Sequence, residues 1–214
     1  GNYETFDVLF EAYKEQGEYH VRQLAQHEAL EYDIAGSTAA YLYTSLLTDD
    51  CLQRGRGVFS GGVRYLGGTL ESYGNTNVAD SFVALKQLVY EQEQFSLDQV
   101  IDMLDADFKG YEKQRKQLLG CPKFGNDNTI ADSMRVEIDR HICSVARKQR
   151  EDTPLFSYLV VIINNDANTV MGEHTPASPD GRRAFDFMAN ANSPMNGLDQ
   201  NGLTALLNSL VKPD

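Results

Sequence analysis

Asp180-Gly181-Arg182-Arg183 sets a carboxylate beside two guanidinium groups, in a stretch from Thr175 to Lys212 that carries further acids at Asp186 and Asp199. Opposite charges this close can hold a loop as a charge-assisted unit, so Arg182 or Arg183 is expected to pair with Asp180, Asp186 or Asp199. Pro179-Asp180-Gly181 also suits a tight turn: proline presets φ, the Asp side chain bonds nearby backbone, and glycine accepts positive φ. Asn192-Ser193-Pro194-Met195 forms a second turn. So little chain separates Gly181 from Gly197 that the two turns are expected to pack together, within the roughly 10–15 Å width of a small-molecule pocket. The alternative is a purely structural connection with both arginines solvated.

Other reactive side chains are less organised. Cys51, Cys121 and Cys143 lie far apart and form no CxxC pair or Cys/His cluster of zinc spacing, so neither a disulfide framework nor a metal site is expected. The histidines are scattered, without HExxH. Gly55 to Gly74 holds seven glycines in twenty residues. Its Gly55-x-Gly57 is not a dinucleotide fingerprint, because it follows a helical pattern and lacks the third glycine. A short strand around Val63 to Leu66 beside a turn is the economical reading.

The elements that must position these residues are mostly helical. Phe6, Leu9, Phe10 and Tyr13, then Val21, Leu24 and Ala25, keep helical spacing across residues 3–30, with a bend expected at Gly17. A second helix is expected from Ser37 to about Arg54, capped by Ser37 or Thr38, with Ala40, Leu42, Tyr43, Leu46 and Leu47 deeply buried. Asn77 opens a third, to about Glu93; Ser96 and Gln99 make a capping box for a fourth. A fifth runs from Tyr111 to Gly120, and a long helix from Thr129 to Arg150 follows the loop 122–128. Asp199 or Asn201 is expected to cap a closing helix bearing Leu203, Leu206, Leu207 and Leu210. Phe156 to Ile163 is the one strong strand, apolar enough to be covered on both faces.

The 214 residues carry 31 acids against 19 bases, a net charge of -12 that argues against nucleic-acid binding. No apolar run is long enough to span a bilayer and no signal pattern opens the chain, so a cytoplasmic location without membrane contact is expected. Residues 1–214 read as a single domain of helix-rich α/β class, with too few strands to close a sheet alone.

Four stretches, in order, closely resemble the glycyl radical enzymes, the pyruvate formate-lyase group. Ser45 to Tyr65 is similar to D-D-C-x-x-x-G followed by G-G-x-R-Y, and Gly74 to Tyr90 to an N-x-A-D-S helix. Pro122 to Asp132 resembles P-K-x-G-N-D-x-x-x-x-D, and Thr175 to Lys212 resembles T-P-x-S-P-D-G-R-R-A and its continuation. The chain departs from the pattern at Leu66, at Phe185 to Ala191 and at Leu203.

The resemblance implies part of a ten-stranded α/β barrel in which a cysteine loop meets a glycine loop. It implies a formate acetyltransferase or a radical lyase-dehydratase, whose glycyl radical is installed by a radical S-adenosylmethionine activating enzyme. Neither loop is in this sequence. Cys51 falls on the D-D-C position, and Cys121 sits before P-K-x-G-N-D, so both are expected as packed thiols and no residue here is assigned a catalytic role. The chain alone is expected to be inactive and without a cofactor of its own, its partners being the remaining parts of the barrel or a second copy. The alternative is a degenerate relative serving as a binding or interaction module. In the family the two turns lie near the substrate cavity, which makes Asp180, Gly181, Arg182, Ser193, Pro194 and Gly197 the candidate substrate-proximal residues.

Overall fold

Helix-forming periodicity outruns glycine at the start of the chain. The computed structural model describes residues 3–39, 41–162 and 166–213, and its first helix, α1 (Phe6–Thr38), continues through Gly17 without a break. It also runs past the expected cap. Ser37 and Thr38 donate their hydroxyls back to Ile34 O, at 3.0 and 2.6 Å, closing α1 instead of opening a new helix. Tyr41 and Asp50 take left-handed backbone angles, so the next segment is cut into α2 (Leu42–Leu47) and α3 (Cys51–Arg54). The expected burial fails here: Leu42 is 72% exposed, Tyr43 77% and Leu47 71%. Ala40 lies outside the described residues.

The glycine-rich segment also resolves differently. Val63 to Leu66 is not a strand; β1 is Gly68–Glu71 and pairs in parallel with β2 (Tyr158–Val161), from Gly68 opposite Tyr158 to Glu71 opposite Val161. A Cβ on Gly68 would come within 2.8 Å of the Tyr158 ring, so only glycine allows this approach. β2 is shorter than its apolar run and not covered on both faces, since Tyr158 is buried while Leu159 is 52% exposed. Ile163 lies outside the described residues.

The middle of the chain follows its capping signals closely. α4 (Asn75–Leu85) starts after Gly74 in the left-handed region, two residues before expected. It then widens over Lys86–Glu91, where Gln92 N donates to Gln87 O at 2.9 Å. α5 (Leu97–Asp105) shows both capping-box bonds, Gln99 N to Ser96 Oγ at 3.2 Å and Ser96 N to Gln99 Oε1 at 2.9 Å. α6 (Glu112–Leu119) and α7 (Thr129–Asp152) match their expected spans within a residue or two. A short α8 (Ala167–Gly172) was not expected in its polar surroundings, and α9 (Gly202–Leu210) closes the described chain.

The residues gather into two compact units. The first, residues 1–13, 72–141 and 162–214, packs Phe10 edge-on against Phe82 with ring centroids 5.0 Å apart. Its core includes Val83, Phe108, Leu118, Phe124 and Ile138. The second, residues 14–71 and 142–161, buries Val21, Ala25, Leu70, Val145, Ala146, Leu155 and Tyr158 around the two-stranded sheet.

Candidate functional site

The first turn of α4 is where the first unit's loops meet. Asn77 is buried and uses both ends of its amide: Nδ2 donates to Asp180 Oδ2 at 2.7 Å, and Oδ1 accepts from Ala189 N at 2.8 Å. The same Nδ2 lies 3.5 Å from Met195 Sδ. Thr76 Oγ1 donates to Ser193 O at 2.9 Å and accepts from Arg135 Nη1 at 2.7 Å. One helical turn thus ties down the Asp180 turn, the segment around Ala189 and the Ser193 turn. The expected proximity of the two turns arises through this shared helix.

The Asp180 turn is a built structure. Its carboxylate accepts from Ser178 Oγ at 2.6 Å and from Arg182 N at 3.1 Å, while Asp180 N donates to Ser81 Oγ at 3.1 Å. Arg182 is buried, and its guanidinium donates to the carbonyls of Thr175, Pro176, Arg183 and Asp186. Arg183 reaches a residue no sequence argument singled out: its Nη1 donates to Asp107 O at 2.7 Å and lies 3.6 Å from Asp107 Oδ2. The expected pairing of these arginines with Asp180, Asp186 or Asp199 is therefore corrected. Backbone carbonyls around the turn claim Arg182, and Asp107 claims Arg183. Gly181 has φ 95°, and a Cβ there would meet Leu119 Cδ2 at 2.7 Å.

Beneath the turns lies a buried charged layer. Arg135, fully buried, donates Nε to Asp139 Oδ2 at 2.9 Å and Nη2 to Asn192 Oδ1 at 2.9 Å. Asp80 accepts from Phe124 N at 2.9 Å through Oδ1, whereas its Oδ2 has no hydrogen-bond partner. Burial pushes the Asp80 carboxyl up to about 7, against the lowering effect of Lys123. Asn126 Oδ1 accepts from Gln200 N and Asn201 N at 2.7 and 3.1 Å. Asn201 thus stands at the start of α9 without capping it by its side chain. Lys212 closes the far end on Asp127 and Asp132, at 2.8 and 2.7 Å.

These contacts frame an open cleft of about 510 Å³ whose lining includes Asn168, Met188, Asn190, Ser193, Pro194, Asn196, Asp199 and Leu206. Of the six candidate residues, Ser193 and Pro194 line it. Asp180, Gly181 and Arg182 are buried in the supporting turn, and Gly197 is exposed at φ 79° without lining the cleft. Sequence reasoning missed Thr76, Asn77 and Arg135 as holders of the loops; Asn77 and Asp80 nonetheless stand inside the N-x-A-D-S match. Cys51 and Cys121 are buried, and burial raises the Cys121 thiol above its ordinary range, against Lys123. Among the described residues no group of three or more His, Cys, Asp and Glu gathers as a metal site, and no helix is long and apolar enough to cross a membrane.

A largely helical chain, one parallel strand pair and loops clamped on a buried helix turn define a segment of a larger α/β barrel. The family model described as pyruvate formate lyase-like matches residues 1–172, and the chain belongs to that family, the glycyl radical enzymes. The trans-4-hydroxy-L-proline dehydratase of Clostridioides difficile is 30% identical over 100% of this chain, which covers 27% of that enzyme. Its solved structure, with substrate bound, superposes at a TM-score of 0.93 over 100% of this chain and 27% of its own. The B12-independent glycerol dehydratase of Clostridium butyricum gives 0.92 at 29% identity, over 98% of this chain and 27% of its own. The isethionate sulfite-lyase of Bilophila wadsworthia is 38% identical over 147 residues, 65% of this chain and 17% of that enzyme.

The fold class expected from the motifs is thus the one found, a helix-rich segment of a pyruvate formate-lyase-like barrel. The family model stops before the Thr175–Lys212 stretch, but the whole-chain relatives extend through it. The chain spans about a quarter of the length of these dehydratases.

Proposed function

We propose that this chain is the loop-bearing section of a glycyl radical lyase or dehydratase that acts on a small hydroxylated compound. The observation that carries this is its alignment with a hydroxyproline dehydratase along the entire chain, at 30% identity. The names of the relatives favour elimination chemistry over acyl transfer. Within such an enzyme the glycyl radical, installed by an activating enzyme, would supply the hydrogen abstraction that starts the reaction.

The residues present do not fit that group. Cys51 and Cys121 are packed thiols, and the glycine-loop pattern R-V-x-G-Y does not occur in the sequence. No radical step is therefore assigned to this chain. Its own residues do something else: Asn77, Thr76 and Arg135 hold the Asp180 and Ser193 turns, and Ser193, Pro194 and Asp199 present a wall to a cleft. In this reading Asp180, Gly181 and Arg182 support the substrate cavity from behind, while Gly197 lies at its margin. The remaining barrel is its partner, and the cytoplasm its location.

The test compares the reading frame that encodes this chain with the 214-residue chain itself. Each is incubated anaerobically with a radical S-adenosylmethionine activating enzyme and examined by electron paramagnetic resonance. A glycyl doublet from the full reading frame and none from the chain is the expected result. If neither gives a doublet, the non-catalytic binding module takes its place; a doublet from the chain alone refutes the assignment.

A further inference from the structure

The cleft beside the Ser193 turn has a one-sided charge. Its lining contains no lysine, arginine or histidine, and one carboxylate, Asp199. Among the described residues the side chains of Asn190, Asn196 and Asp199 form no hydrogen bond or ion pair with the protein. Asn168, also in the lining, spends its amide nitrogen on Met188 O at 3.3 Å and keeps its Oδ1 as an acceptor. Met188, Pro194, Leu206 and Leu210 supply apolar walls. An apolar hollow with a few unspent polar groups is the usual form of a small-molecule site.

The sign of those groups selects the ligand. An anion brought to Asp199 meets repulsion and finds no cationic partner in the lining. A molecule rich in N–H and O–H donors finds a carboxylate and amide oxygens, and a positive charge on it turns the Asp199 contact into a charge-assisted bond. We infer that this cleft takes a small hydroxylated amine and discriminates against acids of the same size. The inference rests on the reading of the cleft as part of the substrate cavity and names the class of compound it admits. Asp199 acts as the specificity residue. Its neighbours Gln200 and Asn201 are held through Asn126 and Asp199 itself holds nothing, so replacing it leaves the loop's own bonds intact.

The experiment is an amide-resolved NMR titration of the 214-residue chain with three probes: 2-aminoethanol as its ammonium salt, glycerol, and 2-hydroxyethanesulfonate. The amine is expected to shift residues 188–199 and Leu206, and to bind several-fold more tightly than either other probe. Asp199→Asn should weaken the amine by about threefold to tenfold, the effect of one charge-assisted contact at a partly exposed site, and weaken glycerol, which carries no charge, by less. Tighter binding of the sulfonate overturns the inference. So does equal binding of amine and glycerol with no effect of Asp199→Asn, or no response to any probe. None of these readouts involves a radical, so failure here is separate from failure of the resonance experiment above.

Discussion

At the scale of single residues, the buried layer under the turns makes stability depend on pH. Asp80 titrates at about 7, with burial the main cause and Asp180 adding to it, while Lys123, Phe124 N and Arg135 act in the opposite direction. A carboxyl held above its ordinary value keeps its proton in the fold when the unfolded chain has already lost it. Its contribution is therefore complete below about pH 4 and declines as pH rises through about 7. Asp80→Asn should flatten this decline, so the gap between variant and parent in melting temperature should move in the variant's favour from pH 5 to pH 8. An unchanged gap would disprove the role of Asp80. Arg135 is the costlier residue to lose. Arg135→Met takes the guanidinium away from the buried Asp139, whose Oδ1 accepts from Asn75 Nδ2 at 3.1 Å, a loss of about 3 kcal/mol or more that urea unfolding would read.

At the scale of elements, two glycines separate backbone freedom from backbone need. Gly125 has φ 94°, and a Cβ there would stand 2.7 Å from Pro194 Cβ, so the P-K-x-G-N-D loop and the Ser193 turn close on each other only through a hydrogen atom. Gly125→Ala should cost about 1–3 kcal/mol and displace the Ser193 turn, visible as new amide shifts at residues 192–198. Gly17 is the opposite case. It sits within α1, and a Cβ added there would meet nothing within 4 Å, so Gly17→Ala should raise stability by about 0.5–1 kcal/mol in a thermal melt. A destabilised Gly17→Ala would show that α1 does need the bend its sequence position implied.

At the scale of the whole molecule, the exposed apolar residues of α2 and of α9 with its following Val211 set the association behaviour. Leu42, Leu46 and Leu47 in one unit, and Leu203, Leu207 and Val211 in the other, are open to solvent. Apolar surface of this kind is what partner chains cover. The isolated chain is expected to self-associate in sedimentation velocity, with an apparent mass that rises with concentration. Leu42→Glu together with Leu47→Glu should return it toward monomer. A single monomeric boundary for the parent at every concentration would count against this.

The sequence by itself determined what local interactions decide. The capping box of Ser96 and Gln99, the span of α7 and the tight turn at Asp180 each depend on a few neighbouring residues, and each appears as read. The order of four motifs likewise placed the chain in its family. What local signals could not decide was competition between distant groups. Arg182 and Arg183 had acids beside them in sequence, yet backbone carbonyls and Asp107 took them, because the turn brings those acceptors closer. The strand lies at Gly68–Glu71 and not at Val63–Leu66, in register with a distant segment, and Glu28 and Tyr158 leave no room for a side chain at Gly68. The apolar run of α2 held no hint of exposure, since hydrophobic spacing marks a face to be covered without saying what covers it. Asn77 mattered most and was least visible: an asparagine becomes the joint of three loops only when residues 180, 189 and 195 are folded back onto its helix.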